Sequence, residues 1–288
     1  RQMCIRDSIE DELTNSDDTF GWVDYEIQPW TLNATGTQKC PGVAISIRVW
    51  VEPTPKVTAT PALDTVCNGE TTDILLSTVT SSTNGVEFTY SSTPSDGTIG
   101  GNNSGTLTPG QSIEDQLTNS DDTFGWVDYE IQPWTLSATG TQKCPGVAIS
   151  VRVWVEPTPK VTATPALDTV CNGEITDILL TTVTSSTNGV EFTYSSTPSD
   201  GTIGGNTDGT LSPGQSIEDE LTNSDDTFGW VDYEIQPWTL SATGTQKCPG
   251  GTISVRVWVE PTPKVTATPA LDTVCNGCLL YTSDAADE

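Results

Sequence analysis

Apolar and polar residues alternate with a period of two along much of this chain. In 86–90, Val86, Phe88 and Tyr90 share one phase, and in 127–132 Val127, Tyr129 and Ile131 alternate with Asp128, Glu130 and Gln132. The longest run is 147–155, where Val147, Ile149, Val151, Val153 and Val155 are in phase. This period sends one set of side chains to a core face and predicts strands, and no stretch carries the 3.6-residue period of a helix. Shorter strands are expected at 57–60, at 73–80 around Ile74, Leu75 and Leu76, and near Ile113 and Leu117. Cys67-Asn68-Gly69 and Asn84-Gly85 signal turns, and 94–110, rich in Gly, Ser, Asn and Thr, reads as turns with one short strand. Seven or so short strands in about 100 residues describe an all-β, immunoglobulin-like sandwich.

The pattern recurs. The stretch 112–134, SIEDQLTNSDDTFGWVDYEIQPW, has counterparts beginning at Ser8 and at Ser216, one every 104 residues. A period of that length is a whole domain, not a solenoid turn. Residues 53–156 and 157–260 align without gaps and differ at eight positions: Thr71/Ile175, Ser77/Thr181, Asn103/Thr207, Ser104/Asp208, Thr108/Ser212, Gln116/Glu220, Val147/Gly251 and Ala148/Thr252. The expected organisation is therefore the second half of a repeat at 8–52, complete repeats at 53–156 and 157–260, and the start of another at 261–277. Pro53-Thr54-Pro55 and its counterparts form short, stiff connectors that space the domains.

Residues 1–7 and 278–288 have no counterpart in the repeat. The tail CLLYTSDAADE can be written as a DNA sequence whose reverse complement encodes Arg-Gln-Met-Cys-Ile-Arg-Asp, the head of the chain. Both ends thus resemble a translated sequencing adapter and are expected not to be native, leaving an interior fragment of a longer array. The C-x-x-C of Cys275 and Cys278 spans that junction and is set aside as a metal or redox motif.

Charge narrows the class of partner. The formal charge is −28, and the repeat 53–156 sets Lys56, Lys143 and Arg152 against twelve carboxylates. Such a field repels phosphate backbones, so nucleic acid is not an expected partner. Abundant Thr, Ser and β-branched residues suit exposed antiparallel sheet, and no window approaches a membrane span.

Away from the ends, each repeat carries a cysteine in T-V-C-N-G and another in Q-K-C-P-G, which gives Cys40, Cys67, Cys144, Cys171, Cys248 and Cys275. With no histidine to complete a common zinc set, these point to disulfides and an oxidising compartment. Pairing inside each repeat, Cys67 with Cys144 and Cys171 with Cys248, closes each domain on itself. It conflicts with a simple immunoglobulin topology, which puts those corners at opposite ends, and Cys144 with Cys171 across the connector is the rival.

The run P-x-V-T-A-T-P, T-V-C-N-G-E-T, I-L-L and F-T-Y, followed by V-D-Y-E-I-Q-P and by C-P-G with a valine-rich strand ending V-E-P, resembles the PKD-like and immunoglobulin-like repeats of Bacteroidota surface and secreted proteins. In that family the third strand usually carries Trp where Tyr90 stands. The resemblance implies a non-catalytic spacer or adhesin array outside the cell, and it names no ligand.

The absence of histidine removes Ser-His-Asp and Cys-His arrangements. Asp128 and Glu130, on one strand face, could form a glycosidase-like carboxylate pair, but a solvent-facing stripe is the plainer reading. Asn119, Asp121 and Asp122, repeated as Asp225 and Asp226, gather hard oxygens suited to calcium, although the ordered spacing of an EF-hand is missing. Trp126, Trp134 and Trp154 could stack on sugar rings, with core or junction packing the alternative, and Trp154 falls out of phase with Val153 and Val155. Two classes of function are therefore expected. The favoured one is a structural or adhesive array with no cofactor, and the alternative is a calcium-dependent or carbohydrate-binding module acting on a surface ligand or glycan.

Overall fold

The computed structural model describes residues 9–266 and 276–277, so the ends 1–7 and 278–288, with Cys4, Cys275 and Cys278, lie outside the described residues. All regular structure among the described residues is β, and no helix there is long and apolar enough to cross a membrane.

The partial repeat supplies β1 (Gly21–Ile27), β2 (Trp30–Leu32), β3 (Gln38–Pro41) and β4 (Ile45–Val51). The first complete repeat begins with β5 (Thr58–Thr60), β6 (Leu63–Cys67), β7 (Ile74–Ser77), β8 (Val86–Pro94), β9 (Ile99–Gly100) and β10 (Gly105–Leu107). It continues with β11 (Ser112–Ile113), β12 (Thr118–Asn119), β13 (Gly125–Leu136), β14 (Gln142–Pro145) and β15 (Ile149–Glu156). The second opens with β16 (Thr162–Thr164), β17 (Leu167–Cys171), β18 (Glu174–Ile175), β19 (Ile178–Thr181), β20 (Val190–Pro198) and β21 (Ile203–Gly204). It closes with β22 (Gly209–Leu211), β23 (Ser216–Ile217), β24 (Glu220–Asn223), β25 (Gly229–Leu240), β26 (Gln246–Pro249) and β27 (Ile253–Glu260).

In the first complete repeat one sheet runs β10-β8-β13-β15-β6, with β14 beside β13, and a second runs β11-β7-β5. Alternation puts Val127, Tyr129 and Ile131 of β13 and Val151, Val153 and Val155 of β15 on the inner face, where they meet Ile74 and Leu76 of β7, Phe88 of β8 and Ile113 of β11 in one core. This is the immunoglobulin-like sandwich expected from the sequence, and the second repeat follows the same strand order.

Three local expectations change. The run after Pro61 is a strand: β6 lies parallel to β15, pairing Leu63 with Arg152 and Cys67 with Glu156. Residues 94–110 hold two short strands, β9 and β10, and Tyr90 is only partly buried.

By contact density, the described residues 9–161, 182–192 and 236–252 form one compact unit, and 162–181, 193–235 and 253–266 another. The division does not follow the repeat boundary.

Candidate functional site

The acidic corner folds because its side chains replace backbone partners. Asn119, almost fully buried, donates from Nδ2 to the carbonyls of Thr123 (2.9 Å) and Val155 (3.0 Å), while its Oδ1 accepts the Asp121 amide at 3.0 Å. Such an Asx turn is what short carboxamide side chains favour. Asp121 accepts the Asp122 amide on Oδ1 (2.7 Å) and the Thr123 hydroxyl on Oδ2 (3.3 Å), and Asp122 pairs with the Lys160 ammonium. Asp225 and Asp226 repeat the arrangement, with Lys264 on Asp226. Calcium takes six to eight oxygens. The carboxylates here already accept amides, a hydroxyl and an ammonium, and among the described residues no group of three or more His, Cys, Asp or Glu is placed to hold a metal.

The tryptophans divide. Register sets Trp126 opposite Trp154 and Asp128 opposite Arg152 on the outer face of β13 and β15. The two indoles meet edge to face with centroids 5.3 Å apart, and Phe124 packs on Trp154 at 5.6 Å. The Arg152 guanidinium lies 4.8 Å from the Trp126 centroid and 5.6 Å from that of Trp154, and donates to both Asp128 oxygens at 2.7 Å. This bidentate fork holds the Asp128 carboxyl below its ordinary value. Asp128 is thus a partner of Arg152. Trp134, eight residues along β13, stands apart from this cluster and donates its indole N–H to the Thr89 hydroxyl at 3.1 Å.

The burial of a carboxylate escaped the sequence reading. Asp115, 3% exposed, accepts the Tyr129 hydroxyl at 2.7 Å, the Asn103 amide at 2.8 Å and the Asn103 side-chain amide at 2.9 Å. Burial, then the bond to Asp115, pushes the Tyr129 phenol far above its ordinary range. In the second repeat Thr207 replaces Asn103 and its hydroxyl keeps the bond to Asp219 at 2.6 Å. The signal was present, since Asp115 shares a phase with Ile113 and Leu117 and so points inward.

The cysteines pair otherwise than expected. Cys67 is bonded to Cys248, with Cα atoms 5.6 Å apart, while Cys40, Cys144 and Cys171 are free thiols. The within-repeat pairs Cys67–Cys144 and Cys171–Cys248 are not formed, nor is Cys144–Cys171. The reason is the register. Cys67 lies level with Glu156, near Gly125 at the start of β13, whereas the Cys144 amide donates to Thr135 near its end. Ten residues of strand separate them, roughly 33 Å at about 3.3 Å per residue, against the 5.5–6 Å or so that a disulfide spans.

The model of the PKD-like domain matches residues 64–159 and 168–263, more than half of the chain. No curated protein sequence matches it. Among solved structures, the human desmocollin-1 ectodomain aligns with 84% of the chain at 9% identity and a TM-score of 0.37, and the chain spans 48% of that ectodomain's length. The fibronectin(III)-like modules of Clostridium thermocellum CbhA align with 72% of the chain, covering 95% of theirs, at 12% identity and a TM-score of 0.28. Domains 4–9 of the surface layer protein SbsC align with 76% of the chain, covering 34% of theirs, at 12% identity and a TM-score of 0.22. With two matched modules in tandem, the chain belongs to the PKD-like domain family.

Proposed function

We propose that this chain is a stretch of a non-catalytic, extracellular repeat array, a spacer or stalk in a large surface or secreted protein of Bacteroidota type, with any adhesion arising from multiplicity of copies. Its domains are the repeats 53–156 and 157–260, flanked by the partial repeats 8–52 and 261–277, and the ends 1–7 and 278–288 are adapter-derived. The observation that carries this reading is the recurrence of the same junction at successive boundaries. Phe20 N donates to Ser81 O and Ser81 N to Asp18 O, and one period on Phe124 N donates to Ser185 O and Ser185 N to Asp122 O. Lys56 pairs with Asp18 as Lys160 pairs with Asp122, and Glu52 accepts from Thr83 as Glu156 accepts from Thr187. Junctions held by repeated directed bonds transmit spacing, and the acidic surface keeps copies apart from one another.

The test places the full chain between a membrane anchor and a fluorescent reporter and adds further copies of residues 157–260. A constant outward step of the reporter per copy is expected, and a height independent of copy number overturns the proposal. A thermal melt with millimolar calcium and with chelator tests the binding-module alternative, and an upward shift with calcium would favour it.

A further inference from the structure

The bond between Cys67 and Cys248 joins the early cysteine of one repeat to the late cysteine of the next, 181 residues away. Around it the Lys247 ammonium donates to the Thr65 carbonyl. Leu63, Asp64 and Thr65 line a hollow of about 240 Å³ together with Ser241, Ala242 and Lys247.

Both halves of this seam are present in every complete repeat, because Leu63–Cys67 is identical to Leu167–Cys171 and Gln142–Pro145 to Gln246–Pro249. Identical sequences differ in exposure according to whether the neighbour is there. Cys248 is 2% exposed, whereas Cys144 is half-buried. Lys247 is half-buried and Lys143 exposed, and Thr65 and Cys67 are half-buried where Thr169 and Cys171 are exposed. The other boundary contacts already recur with the period: Asn68 donates to Thr158 at 2.9 Å and Asn172 to Thr262 at 2.8 Å, beside the Lys160–Asp122 and Lys264–Asp226 pairs.

We infer that Cys171, Cys144 and Cys40 are open halves of the same bridge, and that the partner each is shaped to take is an adjoining copy of this repeat. Cys171 takes the late cysteine of a following copy, and Cys144 and Cys40 each take the early cysteine of the copy before their own repeat. The array is then a ladder of staggered disulfides with one rung at each junction. Each rung forms when a thiolate attacks a disulfide oxidant of the glutathione class and the second thiol resolves the mixed disulfide. Two thiols become one S–S bond, and the two electrons and two protons leave on two molecules of reduced oxidant. The inference goes beyond the spacer reading and holds whether or not the array is a stalk.

The experiment compares the full chain with one lengthened by an additional copy of residues 157–260 inserted after Glu260. Both are equilibrated in glutathione buffer, alkylated without reduction and mapped by mass spectrometry. In the parent, a Cys67–Cys248 peptide is expected, with Cys144 and Cys171 alkylated. In the lengthened chain a second cross-repeat peptide is expected, joining Cys171 to the inserted counterpart of Cys248, and alkylation of Cys171 falls at least tenfold while Cys144 stays reactive. A Cys171 that remains fully alkylated there, or that bonds within its own repeat, overturns the inference. The parent variant Cys248→Ser supplies the control for folding: Cys67 becomes alkylated and Cys171 does not change. A Cys67 that stays unalkylated in that variant, or a Cys67–Cys144 peptide in the parent, equally overturns it.

Discussion

The buried tyrosine–aspartate pair gives the sharpest energetic prediction. Replacing Tyr129 and Tyr233 together by Phe changes both complete repeats alike and keeps the fully buried rings, so that only the hydroxyl is lost. In each repeat that hydroxyl donates to a carboxylate at 2.7 Å, Asp115 or Asp219, which is at most 4% exposed. Each carboxylate keeps two other donors, from Asn103 in the first repeat and Thr207 in the second, so the variant is expected to fold. A hydrogen bond to a charged group contributes about 1.5–3 kcal/mol. For a domain of roughly 100 residues, at about 4–8 °C per kcal/mol, the melting temperature at pH 7 should fall by about 6 to 24 °C. Alkali supplies an independent check. The folded phenols, held above their ordinary range by burial first and by the carboxylate second, bind their protons more tightly than unfolded tyrosine does. Their contribution is complete below about pH 10 and is lost as pH rises further, at about 1.4 kcal/mol per pH unit for each tyrosine. Melts followed by circular dichroism from pH 7 to 12 should therefore show the parent falling more steeply than the double variant above about pH 10. Equal melting temperatures at pH 7, within about 2 °C, or parallel curves in alkali, would refute the reasoning.

Three further outcomes are expected. Gly101→Ala puts a Cβ 1.9 Å from the Gln116 carbonyl at a φ of +83°, and urea unfolding should show a loss larger than the ~1 kcal/mol expected for Gly140→Ala, where φ is +77° and nothing lies within 4 Å. Arg152→Gln removes the cation from beside Trp126 and Trp154 and should alter the tryptophan emission with little loss of stability, since the ion pair is half-exposed; an unchanged spectrum would contradict the contact. Because Arg152 and Arg256 hold Asp128 and Asp232 below the ordinary carboxylate value, their stabilisation is present above about pH 4 and is lost as pH falls further, so an Arg152→Gln/Arg256→Gln variant should show a flatter acid melt than the parent.

The alternation of Val127, Tyr129 and Ile131 and of Val151, Val153 and Val155 was enough to place the two central strands and their buried face, because a period of two survives any error in pairing. The strand β6 was hidden for a physical reason: it has only five residues, follows a proline and pairs in parallel with a strand distant in sequence. The outer cluster was half legible. Trp126 and Trp154 stood out by type, but their meeting, and the Arg152 fork between them, depend on a register that the sequence does not state. At the acidic corner, Asn119 and Asp121 were visible as oxygen donors, yet the same short side chains that suit a metal also suit an Asx turn, and folding used them for the turn.

The cysteines show where such reading must stop for a repeated chain. A contact within one copy and the same contact between neighbouring copies involve identical residues, so neither composition nor spacing separates them. Geometry does. The parallel pairing of β6 with β15 carries Cys67 to one pole of its sandwich, and the hairpin of β13 with β14 carries Cys144 to the other. A covalent bond that cannot reach from pole to pole within a copy can reach from the pole of one copy to the facing pole of the next, as Cys67 does to Cys248. The disulfide is then a property of the array: a single isolated repeat should hold two reactive thiols, and oxidation should stabilise tandem copies at their junctions without adding a cross-link inside any of them.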